Sequence, residues 1–380
     1  MATPKGSMKL LFVTRSIPAH INAGGMEGLA WDLAKELSRS SEIHVLTTTV
    51  PGRSAQFESD GIQVKTLPGT RPGRYSSKWW VKTAFWRQAR DYDAVLSVSA
   101  GASSMVRLNR SPRYVFQAHG TAFSELQAVL SGKPRLWALK ALRMSYWDAI
   151  DRGTYKLVDA VVPVSGVVGE KLNHPRYSRA RAKTEFAVIA NGVLTEPTLA
   201  SDGSARKRFG LAAADDVVVC VSRLVRQKGV DRAIEALAAS SADTKLLVVG
   251  DGPESGALRE YALYAGVSDR VVFTGQLDKD GVHDALRAAD AFVFPVRDAQ
   301  REGLPLAVLE AIACGLPVIV PKDSDWDTDL VPCLRFTNVA DPRTLSRAIA
   351  DAVAAERVTL PAIYTRESMV ASYKSILGLS

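Results

Sequence analysis

Short apolar runs rich in Val, Ile, Leu and Phe recur along almost the whole chain, separated by longer stretches of helix-forming residues. In the first half they are KLLFVT (9–14), IHVLTT (43–48), IQVKTL (62–67), AVLSVS (94–99), RYVFQA (113–118), AVVPVS (160–165) and FAVIA (186–190). Several are apolar at successive positions instead of alternating, as strands covered on both faces are, so the pattern predicts parallel strands joined by helices. It restarts with VVVCVS (217–222), KLLVVG (245–250), RVVFTG (270–275), AFVFP (291–295) and PVIVP (317–321). The stretch between, with Pro197, Gly203 and small polar residues, interrupts the alternation and places a linker near 195–205.

The expected fold class is therefore α/β, with two doubly wound Rossmann-like domains in tandem facing a central cleft, at residues 8–195 and 205–358. Each domain presents its binding loops at the carboxyl ends of its strands, so the site is expected in that cleft. LPAIYTRESMVASYKSILG reads as a terminal helix within 359–380 that packs back towards the first domain. A chain of 380 residues, 47% hydrophobic, supplies two cores. No apolar run reaches the roughly 18 to 20 residues of a membrane span, and the apolar core of the first residues is too short for a secretory signal. The expected location is the cytosol or the inner face of the membrane.

Charge divides unevenly. Residues 1–195 hold 27 Lys and Arg against 14 Asp and Glu, a balance of +13, whereas 196–380 hold 21 against 26, or −5. A basic half implies either a solvated face or a surface that meets anions such as nucleic acid, acidic lipid or phosphorylated metabolites. The three cysteines, Cys220, Cys314 and Cys333, lack C-x-x-C spacing and read as reduced thiols.

In REGLPLAVLEAIACGLPVIV (301–320), Glu302 and Glu310 flank an apolar run. On one helix they would stand about 12 Å apart at 1.5 Å per residue, too far to share a proton. Gly303 and Pro305 place Glu302 at the end of a loop, with Pro305 near the first helical position and Glu310 on the second turn. That helix N-terminus would suit a phosphate, and a carboxylate one turn in would suit the paired hydroxyls of a ribose. In SRLVRQKGVDRAIEAL, Arg223 follows a strand, Lys228 lies in the loop and Gly229 precedes a helix. Two cations at a strand's carboxyl end can neutralise a diphosphate, although either taken alone is more often a surface ion-pair partner.

SRLVRQKG, VVGDGPE, VVFTGQL and EGLPLAVLEAIACGLPVI, in that order, resemble the nucleotide-sugar domain of family 4 glycosyltransferases, which have the GT-B fold and retain anomeric configuration. GGMEGLAWDLAKEL, AHG, PVSG and NGV are also similar to that family. The resemblance implies a retaining, metal-independent hexosyltransferase with a nucleotide-sugar co-substrate, UDP-sugars ahead of GDP-mannose, and no cofactor. It implies that Arg223 and Lys228 bind and stabilise the donor diphosphate, that Glu310 holds the ribose and Glu302 a sugar hydroxyl, and that His119 lies near the donor sugar. Gly24 and Gly25 would approach the donor diphosphate or the acceptor, and Gly250, Gly303, Leu304 and Pro305 would complete the donor site. The expected acceptor is a glycan, a lipid-linked sugar or a small molecule. The chain departs from the family after PVI, where a glycine-rich turn is replaced by VPKDSDWDTDLVPC, read here as a solvated acidic loop with no metal.

RPGRYSSKWWVKTAFWRQAR (71–90) holds six cations, five aromatics and no acid. It reads as a helix on the acceptor side with its cations solvated, or as a surface that uses Arg71, Arg74, Lys78, Trp79 and Trp80 to meet an anionic or lipid-linked acceptor at an anionic membrane. Three rivals remain. A dinucleotide oxidoreductase is disfavoured because glycines 250, 252 and 256 have G-x-G-x3-G spacing with Pro253 in the turn. A nucleic-acid binder lacks a recognised module. A non-catalytic nucleotide-sugar-binding protein of the same fold is the alternative that the altered loop raises.

Overall fold

The structure, a computed structural model, describes residues 8–20, 24–132, 137–195, 203–298 and 304–379. It divides into two compact units, Met1–Asn191 with Glu367–Ser380, and Gly192–Arg366. The first crossover thus falls a few residues before the anticipated linker, in the Asn191–Gly192 pair.

In the first unit the elements run β1 (Lys9–Val13), α1 (Gly25–Leu37), β2 (Glu42–Thr48), β3 (Gln56–Ser59), β4 (Ile62–Leu67), α2 (Ser77–Ala84), β5 (Ala94–Val98), α3 (Met105–Leu108) and β6 (Arg113–Ala118). They continue with α4 (Ala122–Gly132), α5 (Trp137–Tyr155), β7 (Ala160–Pro163), α6 (Gly166–Leu172), α7 (Ser178–Arg181) and β8 (Glu185–Phe186). The sheet order is β3-β4-β2-β1-β5-β6-β7-β8, parallel except for β3 on the edge. β8 is shorter than FAVIA suggested, although the N–H groups of Ala187 and Ile189 still donate to Val161 and Pro163.

The second unit holds α8 (Ser204–Arg208), β9 (Asp216–Val221), α9 (Val230–Ala238), β10 (Thr244–Val249), α10 (Ser255–Tyr264), β11 (Val271–Gly275) and α11 (Lys279–Ala288). It ends with β12 (Ala291–Val293), α12 (Leu306–Ala313), β13 (Val318–Pro321), β14 (Leu334–Thr337) and α13 (Pro342–Val353). Its order is β11-β10-β9-β12-β13-β14, all parallel, the arrangement of a dinucleotide-type half-turned sheet.

Every residue of β5, β7, β12 and β13 is buried, which is why these runs show no alternation. The last helix, α14 (Arg366–Leu377), belongs to the first unit from Glu367 onward. There Gln117 Nε2 donates to the Tyr373 hydroxyl at 2.8 Å, and Arg113 Nε donates to the Ile376 carbonyl at 2.9 Å. Helix does not begin at 359: a short 3-10 turn at Ala362–Tyr364 precedes it.

In both sheets the direction of winding reverses beside the first strand, between β1 and β5 and between β9 and β12. Ligands of doubly wound sheets bind outside the carboxyl ends of the strands at such reversal points.

Candidate functional site

At the β9/β12 reversal point, the strand delivers the chain into Ser222–Gly229, which ends in a 3-10 turn, Arg226–Lys228. Gly229 has φ +67°, and a Cβ there would lie 2.1 Å from the Pro295 carbonyl oxygen just past β12. Only glycine lets the two loops close to this distance. Arg297 ties the same edge: its N–H donates to the Gln227 carbonyl at 2.9 Å, its Nε to the Arg226 carbonyl, and its guanidinium pairs with Asp231. Lys228, half-buried, holds its ammonium 5.7 Å from the centre of the Phe294 ring. Arg223 lies on the same loop and is exposed.

The VVGDGPE segment crosses directly over this loop. A Cβ on Gly250 would meet the Ser222 carbonyl oxygen at 2.0 Å, and one on Gly252 the Leu224 carbonyl oxygen at 2.3 Å. The N–H of Leu224 donates to Asp251 and that of Glu254 to Leu224. The Gly250 N–H donates to the Gly275 carbonyl at 2.9 Å. Loop-on-loop packing and a φ of +128° both require glycine here.

Leu304 is buried, Pro305 is the N-cap residue of α12 with φ −71°, and half-buried Glu310 stands on the helix's second turn, as the sequence placed it. Glu302 and Gly303 lie outside the described residues. The loop after β13 is not uniformly solvated. Asp323, Asp325 and Asp329 are exposed, whereas Asp327 is buried and accepts a 3.0 Å hydrogen bond from the buried Tyr364 hydroxyl. Trp326 turns inward, donates to Ser324 Oγ at 2.7 Å and meets Phe294 edge-on with centroids 6.2 Å apart. The aromatic pair thus backs Lys228. Burial pushes the Cys220 thiol up to about 12, so it offers no thiolate nucleophile near neutral pH.

At the β1/β5 reversal point, Gly24 caps α1 and Gly25 is its first residue. The Gly24 N–H donates to Glu27 Oε2 at 3.2 Å, and Arg15 clamps Glu27 Oε1 at 2.8 Å. Glu27 is 4% exposed, a buried carboxylate satisfied by one guanidinium and one backbone donor. The sequence reading singled out the glycines and passed over Glu27, although a carboxylate three residues after a helix cap is a recognisable signal. Tyr75 donates to the Val98 carbonyl at 3.2 Å, and a Cβ on Gly101 would lie 2.7 Å from both the Tyr75 hydroxyl and the Val13 carbonyl oxygen.

His119, just past β6, faces the same charges, Glu27 and Arg15. Burial lowers its pKa from 6.5 to about 4, and its Nε2 is enclosed without a hydrogen-bond partner among the described residues. The imidazole is neutral at pH 7, and its Nε2 is a buried polar atom whose hydrogen-bonding capacity is unused among the described residues.

Two residues further on, the α4 N-terminus is held by Thr121, whose Oγ1 accepts from the Ser124 N–H, and by Asp151, which accepts from the Ala122 N–H. Burial raises the Asp151 carboxyl from 3.8 to about 7. The two groups oppose each other in pH. His119 favours the fold fully above 6.5 and loses that contribution as pH falls towards 4, whereas Asp151 favours it fully below 3.8 and loses that contribution as pH rises through 7. Asp151→Asn is therefore expected to be about 1–3 kcal/mol more stable than the parent at pH 8, and to lose stability more steeply on acidification below 6.5. Urea midpoints at pH 4.5, 6 and 8 measure this, and equal stability at pH 8 would show that Asp151 ionises freely.

The segment 71–90 is corrected by the structure. Trp79 is 0% exposed and donates from Nε1 to the Gly101 carbonyl at 3.0 Å, so it belongs to the core and cannot face an acceptor or a membrane. Trp80 is half-buried against Tyr75 and Trp147. Arg71, Arg74 and Lys78 are exposed, as anticipated.

Two family models match the chain: Glycosyltransferase Family 4 over residues 23–197 and Glycosyl transferases group 1 over residues 202–325. Among curated proteins, it is 37% identical over 196 residues to the GDP-mannose-dependent alpha-(1-6)-phosphatidylinositol monomannoside mannosyltransferase of Mycobacterium tuberculosis, covering 47% of this chain and 50% of that one. It is 40% identical over 131 residues to the GDP-mannose-dependent monoacylated alpha-(1-6)-phosphatidylinositol monomannoside mannosyltransferase of Corynebacterium glutamicum, covering 32% and 34%. The matched part thus spans half or less of these relatives. Sucrose-phosphate synthase from Thermosynechococcus elongatus shares the fold with TM-score 0.77 at 18% identity, over 98% of this chain and 99% of that one.

Proposed function

Because the chain belongs to glycosyltransferase family 4 and has the GT-B fold, we propose that it transfers a hexose-type sugar from a nucleoside diphosphate sugar to an acceptor hydroxyl, with retention, in glycan, polysaccharide or glycolipid synthesis. The observation that carries this reading is the basic loop Arg223–Lys228, held at the β9/β12 reversal point by glycines that tolerate no Cβ. In this reading Arg223 and Lys228 gather the charge of the departing diphosphate. Glu310 receives the ribose from the second turn of α12. In the first unit, the neutral His119 is a candidate to orient a substrate hydroxyl once its enclosed Nε2 is uncovered.

The acceptor oxygen bonds to the anomeric carbon as the carbon–phosphate oxygen bond breaks, and the acceptor proton passes to the departing phosphate. No protein nucleophile takes part, and the two cations do the work that a divalent metal does elsewhere. GDP-mannose replaces UDP-sugars as the donor of first choice, because the mycobacterial and corynebacterial relatives are named as dependent on it. The acceptor remains a glycan, a lipid-linked sugar or a small molecule by class.

Thermal stabilisation by GDP, UDP, ADP and their sugars, with and without chelator, tests the donor site. A ligand of the folded state at 100 times its Kd adds about 2.7 kcal/mol of stability. A shift with guanine nucleotides that is insensitive to chelator is expected. No shift with any nucleotide at millimolar concentration would overturn the reading, and a shift without detectable transfer from any donor would leave a non-catalytic binder.

A further inference from the structure

We propose that the outer face of α5 in the first unit is a docking surface for an anionic lipid bilayer. α4 and α5 pack against each other, and α5 turns Asp148, Thr154 and Tyr155 inward. On a surface helix the opposite side is ordinarily polar. Here Leu139, Leu142 and Tyr146 are 64%, 70% and 61% exposed. At 100° per residue they fall within about 60° of arc, one stripe roughly 10 Å long. Such a contiguous apolar stripe in water marks a contact that has yet to be made.

Charge selects the occupant. From Trp137 to Trp147, α5 carries Lys140 and Arg143 and no acid, and Arg143 lies about 40° from Leu139 around the same helix, at the border of the stripe. Cations alternating with leucines and interfacial aromatics suit acidic headgroups over acyl chains, each cation contributing about fivefold to partition. A second copy of the chain is a poorer match, since a two-fold contact through this stripe would set the same cations against one another.

The stripe is also continuous with the site. The rings of Tyr146, Trp147, Trp80 and Tyr75 follow one another with centroids 5.5, 5.6 and 5.1 Å apart, ending beside Gly101 at the carboxyl ends of β1 and β5. An amphipathic acceptor held at the bilayer would meet this row before it reached His119.

Co-sedimentation with vesicles of phosphatidylcholine alone, and of phosphatidylcholine mixed with phosphatidylglycerol, tests the surface with the full chain. Binding to the acidic vesicles that weakens with salt is expected, and the double variant Leu139→Glu with Leu142→Glu should lower it at least about tenfold with the melting temperature unchanged, both side chains being exposed. The control Val81→Glu with Phe85→Glu, on α2 and just after it, should bind like the parent. Equal partition to both vesicle types, full binding by the α5 variant, loss caused by the α2 control instead, or a solution dimer that the α5 variant disperses would each overturn the proposal. Vesicle binding is read without nucleotide, so its failure would leave the donor reading standing, and a silent nucleotide panel would leave this surface standing.

Discussion

Gly229→Ala is expected to destabilise the second unit by about 3 kcal/mol or more and to abolish its response to nucleotide. Two costs add at this position. A side chain at φ +67° is placed in the left-handed region, worth about 1–2 kcal/mol for a non-glycine residue. A Cβ 2.1 Å from the Pro295 carbonyl oxygen overlaps backbone, not a flexible side-chain end, so no rotamer change relieves it. The loop must retreat from the end of β12, which would separate Lys228 from the Phe294 ring over which its ammonium lies. Urea denaturation gives the first effect and nucleotide thermal shift the second. A loss below 1 kcal/mol with the shift intact would mean that the loops adjust freely and that the glycine is dispensable.

Lys228→Ala should behave in the opposite manner, with stability near that of the parent and kcat/KM reduced about 10²–10³-fold, the range for removing one fixed donor to a developing negative charge. Loss of the contact with the Phe294 ring contributes about 0.5–1 kcal/mol to the stability cost. Lys228→Arg keeps the charge on a longer, planar head and should recover part of the rate. Steady-state transfer from GDP-mannose, the donor proposed above, measures both variants. Near-normal turnover in Lys228→Ala would remove this loop from the reaction.

The strands were legible where both faces are covered, because continuous burial demands continuous apolar sequence, as in AVLSV of β5 and VIVP of β13. Two edge strands were missed. LRFT of β14 and QFES of β3 leave residues in water, so their apolar signal is thin. For β3 a turn signal was present: Asp60 and Gly61, at φ +50° and +76°, close the hairpin to β4 in the form that an Asp-Gly pair favours.

The order of site motifs along the chain was equally plain. What a motif residue does locally was not. Gly250 also sits at a loop crossing that its motif did not show, because only coordinates place the Ser222 carbonyl oxygen 2.0 Å from its missing Cβ. Trp79 resembled an interfacial aromatic and is core, since a tryptophan beside lysines in sequence can lie on the inner side of a short helix.

The sequence by itself determined the α/β class, the two-part chain, the family and the placement of Arg223, Lys228, Pro305 and Glu310 after their strands, because periodicity and motif order are local properties. Tertiary structure alone decided which groups converge from distant segments. It joined Arg15 to Glu27, brought that pair near His119, set Phe294 and Trp326 behind Lys228, and turned Leu139, Leu142 and Tyr146 out to solvent. A helix's hydrophobic positions show that it has an apolar face, but only the packing of its neighbours determines whether that face is covered.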